Sequence, residues 1–151
     1  MMKKALRLTI MAALLILITL PSCTKPEKQI VGKWKITYAK ADGYNDTGAK
    51  GEIWTFKDNG KFNGYLSFGK KGRDDGYFDC NWSIDGNELV LKGGDLEVSG
   101  YGYSEEAVIT LDIEQLDKNN LVVSGKVKDE WSEDGDHGTY SFNVAYELEA
   151  K

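Results

Sequence analysis

An all-β domain, an eight-stranded antiparallel up-and-down β-barrel, is the fold the sequence predicts, and three patterns carry that prediction. From Ile30 onward apolar and polar residues alternate with period two, and no stretch repeats apolar residues at three to four. The chain has 17 glycines but only 2 prolines, so its turns fall to Gly, Asn and Asp. Tight and long connections then alternate along the chain. At 151 residues the length suits one domain.

Eight alternating runs can be read in order. Residues 32–38 place Trp34, Ile36 and Tyr38 on one face, and residues 52–56 place Trp54 and Phe56 there. Residues 61–68 carry Phe62, Leu66 and Phe68, and residues 77–84 carry Phe78, Cys80, Trp82 and Ile84. Residues 88–92 carry Leu89 and Leu91, and residues 107–116 carry Ile109, Leu111 and Ile113. Residues 121–128 carry Val123 and Val127 around Gly125, where a bend or close approach is expected. Residues 139–149 close the series with Tyr140, Phe142, Val144, Tyr146 and Leu148. One apolar and one polar face per strand is the mark of a sheet with one side in water.

Tight turns rich in Asp, Asn and Gly are expected at 57–60, 85–87 and 117–120, and long loops at 39–51, 69–76, 93–106 and 129–138. In a meander, successive connections lie at opposite ends of the sheet. The four long ones therefore gather at a mouth and the three tight ones at a base. Closing the sheet hides its apolar face and removes exposed edges. Eight strands leave an interior that side chains fill or that holds one small ligand. A two-sheet β-sandwich is the alternative that uses the same pattern.

The first 22 residues stand apart. Lys3, Lys4 and Arg7 precede an apolar run from Leu8 to Leu20, the pattern of a secretory signal peptide. That run is short for a membrane span, which needs about 20 apolar residues. Leu20-Pro21-Ser22-Cys23 resembles the lipobox of bacterial lipoproteins. The resemblance implies cleavage before Cys23, a diacylglyceryl thioether on its sulfur and an acylated amine (palmitate being a typical chain). Several acyl chains on one residue anchor stably where one would not. Residues 23–29 then form the lipidated cysteine and a polar tether, and 30–151 the domain. Thr24 after the cysteine, rather than aspartate, resembles lipoproteins sorted to the outer membrane. The expected location is therefore the cell envelope, lipid-anchored, at the outer membrane facing the periplasm. Cleavage removes three positive charges and no acids, which takes the net charge from −5 to −8. That acidity argues against nucleic-acid partners and leaves membrane attachment to the lipid. With Cys23 acylated, Cys80 has no disulfide partner, and its alternation with Phe78 and Trp82 places it on a buried face.

Gly32-Lys33-Trp34 matches the Gly-x-Trp motif of lipocalins, whose tryptophan closes the base of an eight-stranded barrel. Together with Trp54-Thr55-Phe56-Lys57-Asp58-Asn59-Gly60-Lys61-Phe62 and Trp82-Ser83-Ile84-Asp85-Gly86-Asn87-Glu88-Leu89, the pattern resembles small lipocalin-like lipoproteins of bacterial envelopes. The lipocalin Thr-Asp-Tyr motif is absent, with only Asp117 in that turn, and Arg73 is the only arginine after Cys23. No C-terminal helix is expected after the eighth strand.

The resemblance implies a non-catalytic protein that binds a small apolar or amphipathic molecule. Trp54, Phe62, Phe78, Trp82 and Phe142 are the interior candidates for lining its site. Tyr44, Tyr101, Tyr103 and Trp131 lie in the expected mouth loops, as aromatic residues that contact ligands or partners do. A filled barrel that uses those loops as a protein- or glycan-interaction module is the alternative. His137 sits among Glu130, Glu133, Asp134 and Asp136, a set read as a solvated acidic turn rather than a general base or calcium site. Ser99-Gly100-Tyr101-Gly102-Tyr103 also fits a short motif of lipoprotein inhibitors of c-type lysozyme, but the disulfide expected there has no second cysteine here. No cofactor or metal is expected. Replacing Cys23 with Ser is predicted to abolish incorporation of radiolabelled palmitate, and label retained by the variant would remove the lipobox reading.

Overall fold

The computed structural model describes residues 24–67, 75–100, 103–133 and 136–151, and the side chains of these residues outside 97–107 and 128–140. The signal segment 1–22, Cys23 and Tyr101 lie outside the described residues.

Helix α1 (Pro26–Ile30) leads into strands β1 (Gly32–Ala41), β2 (Tyr44–Asn45), β3 (Ile53–Phe56), β4 (Lys61–Leu66) and β5 (Gly76–Asp85). Strands β6 (Glu88–Gly100), β7 (Tyr103–Leu116), β8 (Asn120–Glu133) and β9 (Asp136–Ala150) follow. Every consecutive pair from β3 onward is antiparallel, and β1 pairs with both β3 and β9. The barrel is therefore closed by eight strands, with the two-residue β2 attached to the end of β1. The barrel expectation holds, and the sandwich alternative does not.

The expected tight turns at 57–60, 85–87 and 117–120 all lie at the base. Asp117 makes the last of them by accepting the Asn119 and Asn120 amides on Oδ1 at 2.8 and 2.9 Å. Those bonds and the Gln115 amide favour the charged carboxylate, and they hold its pKa down at about 2. The termini join this end. Trp34 Nε1 donates to the Ile30 carbonyl at 2.7 Å, and α1 reaches across to β5 and β7. The tether expected over 23–29 is thus helical from Pro26, because Pro at the first turn favours a helix start and Ile30 is buried under the barrel. At the other terminus Lys151 N donates to Lys33 O at 2.9 Å.

Two expected long loops are in fact strand. β6 and β7 run on to Gly100↔Tyr103, and β8 and β9 to Glu133↔Asp136. The connections there shrink to 101–102 and 134–135. Two features hid these extensions. Apolar alternation is imposed only where one face is buried, and the sequence there is mostly polar. In β6 the rhythm also breaks at Gly93 and Gly94, which take φ of 72° and 62°, where the β6–β7 register shifts. A Cβ on Gly94 would run into the Asp79 carbonyl, so the position needs glycine twice over.

Pairing with the neighbours stops where these ribbons begin. β5–β6 pairing ends at Asn81↔Lys92, β7–β8 at Asp112↔Ser124 and β1–β9 at Ala41↔Val144. Asp95 ties the departing β6 back by accepting the Asp79 amide at 2.9 Å. Gly125 allows the close approach expected of it, since a Cβ there would lie 2.6 Å from Thr110 O. Beyond Gly125 the β8–β9 ribbon continues for about eight residue pairs, or roughly 25 Å at the rise of a strand. The molecule is a short closed barrel with two ribbons rising from one end.

The core holds Trp54, Phe56, Phe62, Phe142 and Tyr146, all nearly inaccessible. Gly64 points inward between the rings, and a Cβ on it would lie 2.7 Å from Trp54 Cδ1 and run into Phe62. Gly64→Ala is therefore predicted to destabilise by about 1–3 kcal/mol through overpacking, read as a lower urea midpoint at unchanged slope. An unchanged midpoint would show that the aromatic cluster yields freely.

Candidate functional site

The barrel interior is packed with aromatic side chains. Trp54 stands at its centre, with ring centroids 5.4 Å from Phe62, 6.1 Å from Phe56 and 4.7 Å from Tyr146. Phe56 continues the chain of contacts to Phe62 at 5.1 Å and to Trp82 at 5.6 Å. All of these pairs are edge-to-face or tilted, and aromatic quadrupoles favour such geometry over a face-to-face stack. The polar tips are also occupied. Trp54 Nε1 donates to Tyr65 O at 2.6 Å, and Trp82 Nε1 to Lys57 O at 2.9 Å. Of the interior candidates, Trp54, Phe62 and Phe142 are fully buried, Trp82 nearly so, and Phe78 packs half-buried against the same core. The structure brings them together as packing. In the base half these aromatics are spent on one another.

Above them a polar linkage that sequence reasoning missed closes one side. Tyr146 OH accepts the Ser67 amide at 2.9 Å, and Ser67 Oγ donates to Asp46 Oδ2. Asp46 Oδ1 takes the amides of Gly48 and Ala49 at 2.9 and 3.2 Å. One carboxylate so fixes the β1–β3 connection to the end of β4 and, through Ser67, to a tyrosine of β9. Ala49, 0% exposed, is pressed into the core by that turn. Full burial holds the Tyr146 hydroxyl well above the ordinary tyrosine range, with Asp46 acting in the same direction. The only sequence signal for this linkage was Asp46 two residues before a glycine, a common turn pattern.

The mouth candidates separate. Tyr44 lies on β2 and is 62% exposed. Tyr103 and Trp131 were expected in loops but lie on strands, Tyr103 opposite Gly100 and Trp131 opposite Gly138. Both therefore sit on the ribbons, away from the base. His137 is likewise on β9, opposite Ser132. Among the described residues no three His, Cys, Asp or Glu side chains cluster as metal ligands would.

The lipocalin-like domain family matches residues 30–123, more than half the chain, and the protein belongs to that family. The fold is of the ligand-binding type, and the family is generally a non-enzymatic one. No curated protein and no solved structure matches the chain.

Cys80 lies where the alternation put it, 4% exposed and with a free thiol. Burial first, then Asp79 and Asp95, push its pKa up from 9.0 to about 12. A raised folded pKa stabilises below the unfolded value, and that stability is lost as pH climbs from about 9 towards 12. Cys80 is predicted to resist a thiol reagent at pH 8 until the protein is unfolded in urea. Prompt labelling of the native protein would contradict its burial.

Proposed function

We propose that this protein is a non-catalytic envelope lipoprotein that binds a small apolar or amphipathic molecule at its ribbon end. Residues 1–22 direct export, Cys23 carries the lipid, and the anchored face is the outer membrane's periplasmic side.

The observation that carries this reading is the polarity of the barrel. α1, Trp34 and Lys151 lie at the base, while Tyr44, Tyr103 and Trp131 lie towards the opposite end. A lipid two residues before Lys25 would hold the base to the membrane and present the ribbons to the periplasm. The aromatic packing around Trp54 limits how deep a ligand would reach, so the site belongs above Tyr146 and Leu96 rather than among Trp54, Phe62 and Trp82. That same packing favours a second reading, in which the solid barrel displays its ribbons to another envelope protein or a glycan.

Native mass spectrometry of the mature lipoprotein, released from non-ionic detergent after incubation with envelope lipid extract, separates the two. The carrier reading predicts a stoichiometric adduct, lost on denaturation and weakened about tenfold in Trp131→Ala, as removal of a well-packed aromatic contact does. A bare mass under all conditions would overturn it and leave the interaction module, to be sought by crosslinking in intact cells.

A further inference from the structure

The outer wall of the barrel carries a depression of about 490 Å³ where β1, β8 and β9 run side by side. That volume lies within the range of small-molecule sites, about 300–1,000 Å³. It is built by register. Lys40 of β1 and Ser124 of β8 both stand opposite Ala145 of β9, and Lys126 stands opposite Asn143 one rung higher. Lys40, Lys126 and Asn143 are exposed, and Ala145 is half-buried, so these side chains share the outward face. Ala145 is the shortest side chain of its row and makes the floor. Gly43, at φ 85° in the turn after β1, completes the rim.

The hydrogen-bonding inventory is one-sided. Lysine offers three donors and no acceptor. Among the described residues neither lysine makes an ion pair, and the Asn143 side-chain amide has no hydrogen-bond partner. Ser124 Oγ already donates to Glu114. What remains is two ammonium groups and an amide around a small concave floor, in a chain whose net charge is negative. The complement of such a surface is a compact group rich in acceptors and carrying negative charge.

We propose that this depression binds a small oxyanion of the phosphate or carboxylate type, held between Lys40 and Lys126 with Asn143 donating from above. The site lies on the outer wall and is independent of the ribbon-end reading. Inorganic phosphate and an anionic lipid headgroup share this chemistry.

The test is NMR titration of the ¹⁵N-labelled mature lipoprotein in non-ionic detergent, with inorganic phosphate, with acetate, and with chloride at matched ionic strength as control. Phosphate or acetate is expected to shift the Ala145 and Lys126 amides saturably where chloride does not. Lys40→Gln and Lys126→Gln should each weaken binding about tenfold, the loss of one charge-assisted contact. Ala145→Leu should fill the floor and abolish binding. Because all three positions face outward, unchanged melting temperatures would show the fold intact. Phosphatidylglycerol bicelles that shift the same amides at lower phosphate concentration than the free ion would support the site and make a headgroup its ligand. A response to the free ion alone would support it as a site for a soluble anion. Shifts that never saturate, or lysine variants that bind like the parent, would overturn the proposal.

Discussion

The packing of Trp54 is the constraint on which the rest of the structure depends. Its indole touches the rings of Phe56, Phe62 and Tyr146, and its N–H is tied to Tyr65 O. These groups come from β3, β4 and β9, so one side chain helps to set the spacing between strands across the interior. Burying one large apolar side chain contributes about 1.5–3 kcal/mol, and several are concentrated here. The same density fixes the smaller residues. Gly64 is glycine because two rings occupy the place of its side chain. A barrel could have kept this volume open for a ligand, and this sequence fills it with aromatics.

A filled base moves the variable part of the molecule upward. At the base the tight turns and the last residues are tied to neighbouring strands by backbone hydrogen bonds, and α1 is tied by the Trp34 indole N–H donating to Ile30 O. At the other end each neighbouring ladder stops in turn, and what continues is two hairpins paired only within themselves. The stops have local causes. Paired glycines turn β6 away from β5, Gly125 lets β8 approach the Thr110 carbonyl of β7 closely, and β1 simply ends at the Asp42–Gly43 turn. Where the ladders stop is therefore set by a few glycines rather than by the hydrophobic pattern.

This explains what was legible in the sequence. Where one face is buried the period-two signal is strong, and the eight strands, the base turns, the role of Trp34 and the burial of Cys80 were all readable. Outside the core nothing enforces alternation, so the upper parts of β6 to β9 looked like loops. Tyr103 and Trp131 were accordingly assigned to the right end of the molecule but to the wrong kind of structure. The helical turn at Pro26–Ile30 was too short to show a period. The Asp46–Ser67–Tyr146 linkage joins residues up to 100 positions apart, and single-sequence reasoning has no term for such a pairing.

The outer-wall depression was invisible for a related reason. In a half-buried strand the outward residues are read only as polar, as Ser124, Lys126 and Asn143 were, and Lys40 fell in the loop expected at 39–51. Their grouping arises from the β1–β9 and β8–β9 registers, and the β1–β9 register itself carries a bulge between Ile36 and Tyr38. That bulge shifts the alternation of β1, so Ala39 and Ala41 face inward and Lys40 faces out. Without it Lys40 would point at the core, where an unpaired ammonium could not stay charged. The irregularity in the closing β1–β9 ladder is thus what delivers a second lysine to the wall beside Lys126. The grouping of these cations originates in backbone register rather than in any sequence motif.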